Sequence, residues 1–366
     1  MELFNNPLNQ HSIVSFLQEM MKLGVDLKDL VPRKKTDLTE FTGKTIAVDA
    51  FNVLYQFLAI IRGPTGEPLQ DSRGIVTSHL SGLLYRNSNF LEKGIKVVYV
   101  FDGKPPTLKM TEIIRRAKAK EEATVMYEKA VAAGDMVSAR KFAQATARLK
   151  DYMVSDSTKL LELMGIPWIQ APSEGEAQAA HMAAKGDAWA CASQDYDSLL
   201  FGAPRLIRNM AITGRRKLPS KAVYIEVVPE LVELGQVLTS LGLDRKQLVD
   251  MGILIGTDFN PDGIKGIGPK TALKIIKQHS SLEEAVASLP EGSFEVDPKR
   301  IEEIFLTPDV TSDYRMEWKT PDEEGVVQFL CKEHDFNEAR VREALRKATV
   351  GIEEETKKTT LEKWFG

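Results

Sequence analysis

Residues 172–200 have the sequence PSEGEAQAAHMAAKGDAWACASQDYDSLL, which predicts a helix, a short apolar strand and a second short helix. The acidic side chains fall in two pairs, Glu174 with Glu176 before the strand and Asp195 with Asp197 after it. Carboxylates this close repel one another and resist burial unless cations neutralise them. Hard divalent ions such as Mg²⁺ prefer oxygen ligands. The stretch therefore predicts a metal site if other parts of the chain supply further carboxylates.

Two such carboxylates end apolar strands earlier in the chain. The segments TIAVDA (45–50) and IKVVYVFDGKPP (95–106) are predicted as buried strands that end on Asp49 and Asp102. Apolar strands that alternate with helices indicate an α/β fold, with a central, mostly parallel sheet flanked by helices. Because sites in such sheets form beyond the carboxyl ends of the strands, both aspartates lie where a site is expected.

The composition is typical of a globular protein of a reducing compartment. The chain has 366 residues, of which 43% are hydrophobic and 27% charged. No apolar run approaches the roughly 20 residues that a membrane span needs, and the N-terminus lacks the pattern of a signal peptide. Cys191 and Cys331 form no CxxC pair, which argues against structural zinc and favours the cytosol.

The net charge of −4 conceals two basic stretches. Residues 104–150 hold 11 Lys or Arg and 5 Asp or Glu, and residues 205–221 hold six basic residues and no acid. Solvated helix faces would explain such runs. Their position on either side of an acidic centre in the sequence fits a surface that binds a polyanion better, because the local field matters more than the net charge.

Each carboxylate could also be explained independently of the others, although Glu174, unlike Glu176, does not fit a capping box. A strand-end aspartate often caps the next helix, which would account for Asp49 or Asp102 alone. Ser173 and Glu176 have the spacing of a capping box, and Asp258 could initiate the NPDG turn. All seven explanations holding independently is a weaker account than one shared site. A carboxylate cluster of this kind suits hydrolysis of a phosphodiester by two metal ions.

The segment GIKGIGPKTA (263–272) predicts a glycine loop that opens a helix, with Pro269 in the first helical turn. Main-chain N–H groups in such a loop bind phosphate oxygens without reading the base sequence. A tight turn between packed helices is the alternative. Several lysines in and after the loop favour a helix–hairpin–helix that binds DNA.

Six motifs occur in an order that resembles one family: IAVDAFNVLYQFL, YVFDGKPPTLK, PSEGEAQAA, SQDYDSLLFG, LIGTDFNPDGIKGIGPK and TLEKWF. Together they resemble an archaeal flap endonuclease, from about Gly24 to the C-terminus. The resemblance implies a PIN-like core of the structure-specific 5′ nucleases. It further implies removal of 5′ flaps during Okazaki-fragment maturation and repair, together with 5′-3′ exonuclease activity. The implied cofactor is Mg²⁺ or Mn²⁺. The implied location is the cytoplasm, at a prokaryotic replication fork.

The resemblance also implies roles for individual residues. Four carboxylates would serve the first metal, Asp49, Asp102, Glu174 and Glu176, and three the second, Asp195, Asp197 and Asp258. Lys109 and Arg116 would contact the scissile phosphate; ordinary surface charge is their alternative. The implied DNA-binding set is Tyr55, Arg62, Gln70, Thr77, Arg86, Glu174, Gly256, Asp258, Gly263, Gly266, Gly268 and Lys270. Within it, Tyr55 would stack on the terminal base, Gln70 and Thr77 would accept a one-nucleotide 3′ flap, and the glycine loop would hold K⁺.

The last residues resemble the motif that binds the sliding clamp, proliferating cell nuclear antigen. Leu361, Trp364 and Phe365 fit its apolar and aromatic positions, whereas Lys358 replaces the usual glutamine. At the other end, the family begins Met-Gly, and here Leu23 precedes Gly24. Because UUG can initiate translation in prokaryotes, we expect Leu23 to be read as the initiating Met and residues 1–22 to be absent from the native protein.

The order of these motifs predicts how the chain is divided. The protein is expected to be a monomer. It comprises an N-terminal extension at 1–23, an N-terminal nuclease region at 24–120, the remainder of a helical arch with a linker at 121–165, an internal nuclease region with the helix–hairpin–helix at 166–280, a C-terminal helical region at 281–349, and a flexible tail with the clamp motif at 350–366.

Three other functions remain at this point. An exonuclease-1-like or excision-repair-like nuclease of the same superfamily is disfavoured by the modest insertion between Asp102 and Glu174 and by the terminal clamp motif. A catalytically silent DNA-junction scaffold is disfavoured because all seven carboxylates are present. A dehalogenase-type phosphatase would need DxD where the chain has DAF at 49–51.

Overall fold

The computed structural model describes residues 24–63, 66–146, 148–217, 224–290, 294 and 296–365. It describes the main chain alone at 137, 140–141, 144–145, 215–217, 224–225 and 353–365. The predicted extension at 1–23 lies outside the described residues. Within the described part, no helix combines the length and the apolar character that crossing a membrane requires.

The centre of the fold is a seven-stranded sheet. The described residues form nine strands: β1 (Lys34–Lys35), β2 (Thr45–Asp49), β3 (Lys96–Phe101), β4 (Trp168–Gln170), β5 (Ala190–Ala192), β6 (Arg205–Arg208), β7 (Gly214–Lys217), β8 (Tyr224–Val227) and β9 (Glu230–Glu233). The sheet has the order β1-β9-β6-β5-β2-β3-β4, and its five strands from β6 to β4 are parallel. The predicted fold class, α/β with a mostly parallel sheet, is confirmed.

The antiparallel edge of the sheet was not predicted. Strand β9 pairs antiparallel with β6 and with β1, and β7 and β8 form a separate two-stranded sheet. The short acidic sequence ELVE of β9 has little of the apolar character that marks a buried strand. Its pairing with β6 therefore depends on a partner far away in the chain.

Helices cover both faces of the sheet. They are α1 (Ala50–Ile60), α2 (Ser78–Glu92), α3 (Met110–Ala132), α4 (Met136–Ala145), α5 (Asp151–Leu163), α6 (Gly175–Lys185), α7 (Asp197–Leu200), α8 (Leu234–Leu241), α9 (Arg245–Ile255), α10 (Pro269–Gln278), α11 (Leu282–Ala287), α12 (Pro298–Leu306), α13 (Glu323–Val327) and α14 (Glu338–Phe365). Among them, α6, α7 and α10 lie where the quoted segments predicted helices.

Alternate residues of the central strands divide between two cores. Ile46 and Val48 of β2 are buried in one core, which includes residues of α1, α2, α5 and α14. Ala47, between them, belongs to the other core, which includes residues of α6, α9 and α10. Because successive strand side chains point to opposite faces, a strand buried on both sides must be apolar throughout. This explains the uninterrupted run IAV before Asp49.

The helical segment after β3 is an excursion from the sheet. Helices α3 and α4 contact each other across a turn at Gly134, whose φ of +71° favours glycine. Their contact is a small separate core of Ala130, Ala139 and Phe142. Helix α4 also contacts α1, which begins immediately after Asp49. The segment predicted as an arch therefore lies next to the carboxyl end of β2.

The C-terminal helix corrects one prediction. The residues from 350 on were expected to be flexible and unstructured, but the main chain of α14 is helical through Phe365. Helix α14 packs closely against α2, since a side chain at Gly351 would meet the main chain at Leu91 and Glu92. Leu361, Trp364 and Phe365 occupy the final turn, in the stretch where only the main chain is described.

Candidate active site

The sheet brings four of the predicted carboxylates to one edge. Asp49 is the last residue of β2, Asp102 follows β3 directly, and Asp195 and Asp197 follow β5. Strands β5, β2 and β3 are adjacent and parallel, so their carboxyl ends lie side by side. The topology therefore gathers residues that are far apart in the sequence.

The first turn of α6 adds Glu174 and Glu176 to the cluster. Glu174 is the N-cap residue of α6, and the main-chain N–H of Gly175 donates to Oδ1 of Asp102 at 2.6 Å. Glu176 is thus the second helical residue, which excludes the predicted capping box with Ser173. It accepts a hydrogen bond from Ser198 Oγ at 3.0 Å instead. A helix start of this kind lets both glutamates face the site.

Asp49 combines a structural role with a place in the site. Its Oδ1 accepts from the main-chain N–H of Asn52 at 3.0 Å, so it caps α1 as the alternative explanation required. Its Oδ2 lies 3.4 Å from Ser193 Oγ, at the start of the loop that carries Asp195. Asn52 in turn donates from Nδ2 to Asp195 Oδ2 at 2.9 Å. The two explanations for Asp49 are therefore compatible.

The first described residues contact Asp197 and the seventh carboxylate, Asp258. The main-chain N–H of Gly24 donates to Asp258 Oδ1 at 3.2 Å, and that of Val25 donates to Asp197 Oδ1 at 2.6 Å. Gly24 has a φ of +57°, and a Cβ there would lie 2.6 Å from Asp197 Oδ1. Glycine is needed at this position because both the conformation and the space exclude a side chain.

Two basic side chains reach the cluster from the base of the arch segment. Lys109 hydrogen-bonds Glu174, and its Nζ lies 3.2 Å from Asp258 Oδ2. Arg116 Nη2 lies 2.5 Å from Asp258 Oδ1, and its Nε lies 2.7 Å from Glu112 Oε1. The structure thus places both predicted phosphate-contacting residues beside the carboxylates and not on an open helix face.

The acidity of the cluster reflects its crowding. Burial raises the pKa of six carboxyls, and for most of them neighbouring carboxylates raise it further; the six are Asp49, Asp102, Glu174, Glu176, Asp195 and Asp197. The pKa of Glu176 is raised to about 7. These carboxyls resist ionisation because there is too little positive charge near them. Bound cations would supply it and release protons.

Asp258 behaves differently because the basic residues face it. Burial alone would raise its pKa, but Lys109 and Arg116 together hold it below its usual value. Burial likewise acts to lower the pKa of Lys109, and the carboxylates of Asp258 and Glu174 raise it overall. This corner of the site is therefore neutralised by protein cations.

The donor set fits hard divalent ions in its chemistry. All seven predicted ligands are carboxylates, the ligand type that Mg²⁺ and Mn²⁺ take. Among the described residues, no three or more His, Cys, Asp or Glu side chains are arranged to enclose an ion as they stand. Lys109 and Arg116 lie between some of them and pair with Glu174 and Asp258. Seating an ion would require these side chains to adjust.

Comparison with known proteins agrees with this geometry. The XPG N-terminal domain matches residues 14–123, and the XPG I-region matches residues 165–258. Flap endonuclease 1 of Hyperthermus butylicus is 58% identical over 328 residues, which cover 89% of this chain and 94% of that protein. The chain belongs to the flap endonuclease 1 family. Flap endonuclease 1 of Staphylothermus marinus is 53% identical over 349 residues, 94% of this chain and 100% of that protein.

Solved structures extend the comparison to the fold. This flap endonuclease superposes on flap endonuclease-1 from Methanococcus jannaschii with a TM-score of 0.72 and 40% identity, over 90% of this chain and 99% of that one. The catalytic core of Rad2 in complex with DNA substrate, at 23% identity and a TM-score of 0.65, shares the fold over 89% of this chain and 99% of that one.

These relationships confirm several predictions. The family, the PIN-like 5′-nuclease fold, the metal-dependent hydrolase class and the function of a structure-specific 5′-flap endonuclease are all confirmed. A catalytically silent scaffold is not favoured. Membership of this family implies dependence on divalent metal and binding of branched DNA.

Three predicted DNA-contacting residues, Tyr55 on α1, Arg62 just after α1 and Arg86 on α2, contact other parts of the protein. Lys120 of α3 makes a cation–π contact with Tyr55 on α1, and its Nζ lies 4.2 Å from the ring centroid. Arg62 donates to Gly66 O at 2.9 Å, and Arg86 donates from Nη1 to Thr213 Oγ1 at 2.8 Å. Burial lowers the pKa of both arginines. Both are thus engaged with the protein in this structure.

The segment around Gln70 and Thr77 is a tight loop before α2. Gln70 bridges to Val76, and the main-chain N–H of Thr77 donates to Leu69 O at 2.8 Å. Asp335 accepts from the main-chain N–H of Ser72 at 2.7 Å, which ties this loop to the start of the C-terminal helix. The loop is therefore held in place without DNA.

The glycine loop follows Asp258 as predicted. Gly256 has a φ of +114°, and a Cβ there would lie 2.8 Å from Pro261 O, so the turn after α9 requires glycine. Gly263 also has a positive φ, of +53°. Gly266 and Gly268 have open space around them. Lys270 lies in the first turn of α10, whose N-cap residue is Gly268. The open main chain of this loop can approach a phosphate closely.

Sequence analysis missed the residues that hold the carboxylates in place. These are Gly24, Val25, Asn52, Ser193 and Ser198. Glu112, which holds Arg116, was not predicted either. Asn52 lies in the motif IAVDAFNVLYQFL and Ser193 begins the motif SQDYDSLLFG. Their place in these motifs was the one indication that they contribute to the site. Glu112, by contrast, has the appearance of an ordinary surface residue of a charged helix.

Proposed function

We propose that this endonuclease cuts the phosphodiester at the base of a 5′ flap with two divalent ions held by the carboxylate cluster. The single observation that carries the proposal is the convergence of the carboxylates from distant parts of the chain at the carboxyl edge of the sheet, beside Lys109 and Arg116. Carboxylates crowded in this way repel one another, and bound cations remove that repulsion.

The ligands divide as the family resemblance implies. The first ion would take Asp49, Asp102, Glu174 and Glu176, and the second would take Asp195, Asp197 and Asp258. The chemistry that bound Mg²⁺ or Mn²⁺ supplies here is activation of water and neutralisation of charge on the leaving oxygen. Ser193, Ser198 and Asn52 would orient the carboxylates to which they donate.

Lys109 and Arg116 would exchange partners when DNA binds. Both now pair with carboxylates, and a phosphate offers them an equivalent anionic partner. Their positive charge then offsets the charge that develops on the scissile phosphate. The same exchange frees Glu174 and Asp258 to hold an ion.

DNA would contact the surface around this edge. Tyr55 would stack on the terminal base once Lys120 leaves its ring face. Arg62, Arg86 and Gly256 would contact the substrate, and Gln70 with Thr77 would accept a one-nucleotide 3′ flap. The glycine loop with Gly263, Gly266, Gly268 and Lys270 would bind duplex phosphates through main-chain N–H groups. Carbonyl oxygens of the same loop would hold K⁺.

The C-terminal end of α14 would bind the sliding clamp. Leu361, Trp364 and Phe365 have a spacing that shares one face of a helix. The partner would be proliferating cell nuclear antigen, and the endonuclease would act as a cytoplasmic monomer at the replication fork. Co-elution of the full chain with the clamp, lost in Trp364→Ala/Phe365→Ala, tests this contact.

A cleavage assay with defined substrates tests the main proposal. A 5′-flap DNA, a nicked duplex and a bubble are each incubated with the protein in Mg²⁺, Mn²⁺, Ca²⁺ or EDTA under single-turnover conditions. We expect cleavage of the flap at the highest rate, in Mg²⁺ or Mn²⁺ only. Binding of the flap in Mg²⁺ without any cleavage would instead identify a scaffold.

A further inference from the structure

Glu112 lies at the base of the arch segment and is 2% exposed. It belongs to the first turn of α3, three and four residues before two adjacent arginines. Its Oε1 accepts from Arg116 Nε at 2.7 Å, and its Oε2 accepts from Arg115 Nε at 2.8 Å. A buried carboxylate is costly unless it is paired and hydrogen-bonded, and here both oxygens are engaged.

The Arg116 guanidinium connects Glu112 to the active site. Its Nε faces Glu112, and its Nη2 lies 2.5 Å from Asp258 Oδ1. An arginine side chain has several rotatable bonds, whereas its planar guanidinium has fixed donor directions. Holding the Nε edge therefore sets the direction in which the Nη groups point. Glu112 supplies that hold without touching the cluster itself.

Arg115 keeps Glu112 from rotating. Its Nε holds the second carboxylate oxygen, and its Nη1 lies 3.1 Å from Asp262 Oδ1. Asp262 belongs to the turn that follows Asp258, between α9 and the glycine loop. The base of α3 is therefore joined to both ends of the short 258–262 segment, once by each arginine.

We propose that Glu112 is a positioning residue, which orients Arg116 toward the phosphate-binding corner of the active site at Asp258. The inference rests on the proposed role of Arg116 in flap cleavage. Glu112 acts only through Arg116, so its removal changes the rate of the cleavage step and leaves DNA binding by the rest of the surface intact.

Single-turnover cleavage of the 5′ flap in Mg²⁺ and flap binding in Ca²⁺ test the proposal. We expect Glu112→Ala to cleave about tenfold to a hundredfold more slowly, the range that a misplaced group costs, with unchanged binding. Glu112→Gln, which still accepts a hydrogen bond, retains more of the rate. The double variant Glu112→Ala/Arg116→Ala cleaves no more slowly than Arg116→Ala, because a positioning residue has no effect once its target is absent.

Glu302→Ala is the matched control. Glu302 also forms an ion pair, with Lys246, but it lies on α12 and touches none of the carboxylates of the site. We expect its cleavage rate to equal that of the unaltered protein. Thermal unfolding of each variant shows whether it is folded.

Two outcomes would overturn the proposal. One is a Glu112→Ala variant that cleaves at the unaltered rate; the other is a folded double variant that is much slower than Arg116→Ala, since Glu112 would then act by another route. Failure of the unaltered protein to cleave flaps would contradict the proposed function instead, so the two failures are distinguishable.

Discussion

Gly24 and Asp258 are joined by a hydrogen bond from the main-chain N–H to Oδ1 at 3.2 Å, across 234 residues of sequence. Any residue that precedes Gly24 is therefore attached next to the carboxylate cluster. This contact gives the predicted start at Leu23 a functional consequence.

We expect the chain that begins at residue 23, read as Met, to cleave flaps faster than the chain of 366 residues, because Gly24, to which any preceding residues are attached, contacts Asp258. Single-turnover rates of the two purified forms measure the difference. Intact mass of the native protein tests the start itself; a mass that includes residues 1–22 would contradict it.

Asp195→Ala should abolish Mg²⁺-dependent cleavage while flap binding is kept or strengthened. The loss should be about a hundredfold or more, as for removal of a group that stabilises the transition state. Binding should not weaken, because a carboxylate repels the DNA backbone. Cleavage assays and a binding titration in Ca²⁺ measure both effects, with the exposed Asp309→Ala as control. Full activity of Asp195→Ala would refute the ligand assignment.

Gly24→Ala should lower the cleavage rate by more than its loss of folding stability accounts for. Its φ of +57° costs a non-glycine residue about 1–2 kcal/mol, and the new Cβ would lie 2.6 Å from Asp197 Oδ1. Gly186, the C-cap of α6, has a φ of +90° with nothing within 4 Å of a Cβ. Gly186→Ala should thus lose comparable stability and keep its cleavage rate, measured with unfolding curves on both variants. Equal activity in the two would show that Asp197 tolerates the shift.

Tyr55→Ala should reduce the rate of flap cleavage by the loss of one stacked base, worth about 1–3 kcal/mol. Tyr55→Phe keeps the ring and should cleave almost as the unaltered protein does. The ratio of the two single-turnover rates separates stacking from the hydroxyl group. Similar rates in both variants would remove Tyr55 from the proposed DNA surface.

Asp250 on α9 should make stability depend on pH outside the active site. Its side chain is buried and pairs with Lys246 Nζ at 3.1 Å, and burial together with Glu302 raises its pKa to about 7. In the unfolded chain the carboxyl has an ordinary pKa near 4. Between about pH 4 and 7 the folded state therefore binds a proton that the unfolded state lacks, so stability contributed by this group is lost as pH rises through that window.

Asp250→Asn removes this titration. The stability of the variant relative to the unaltered protein should increase by about 1 kcal/mol between pH 5 and pH 8, a value reduced because the partner of Asp250, Lys246, is exposed to solvent. Urea unfolding at the two pH values measures it, with the exposed Asp309→Asn as control. A relative stability that is constant with pH would contradict the prediction.

Much of the fold was predictable because its signals are local. The apolar runs before Asp49 and Asp102 mark parallel strands that are buried on both faces, and each run had to be apolar throughout for that reason. Strand β9 was missed because its four residues carry two glutamates and its partner β6 is more than twenty residues away. The helical end of α14 was missed because a polar, charged sequence has no apolar stripe to indicate a helix.

By itself the sequence determined the seven carboxylates, the two basic residues Lys109 and Arg116, and the order of motifs that marks the family. It did not determine how the carboxylates are held. Asn52 and Asp195 are 143 residues apart in the chain, and Gly24 and Asp258 are 234 apart. Such contacts depend on which strands are neighbours in the sheet, and the spacing of residues along the chain does not indicate the order of the strands. The tertiary structure alone decided that Glu112 faces inward, because a charged residue on a helix is buried only where a partner meets it.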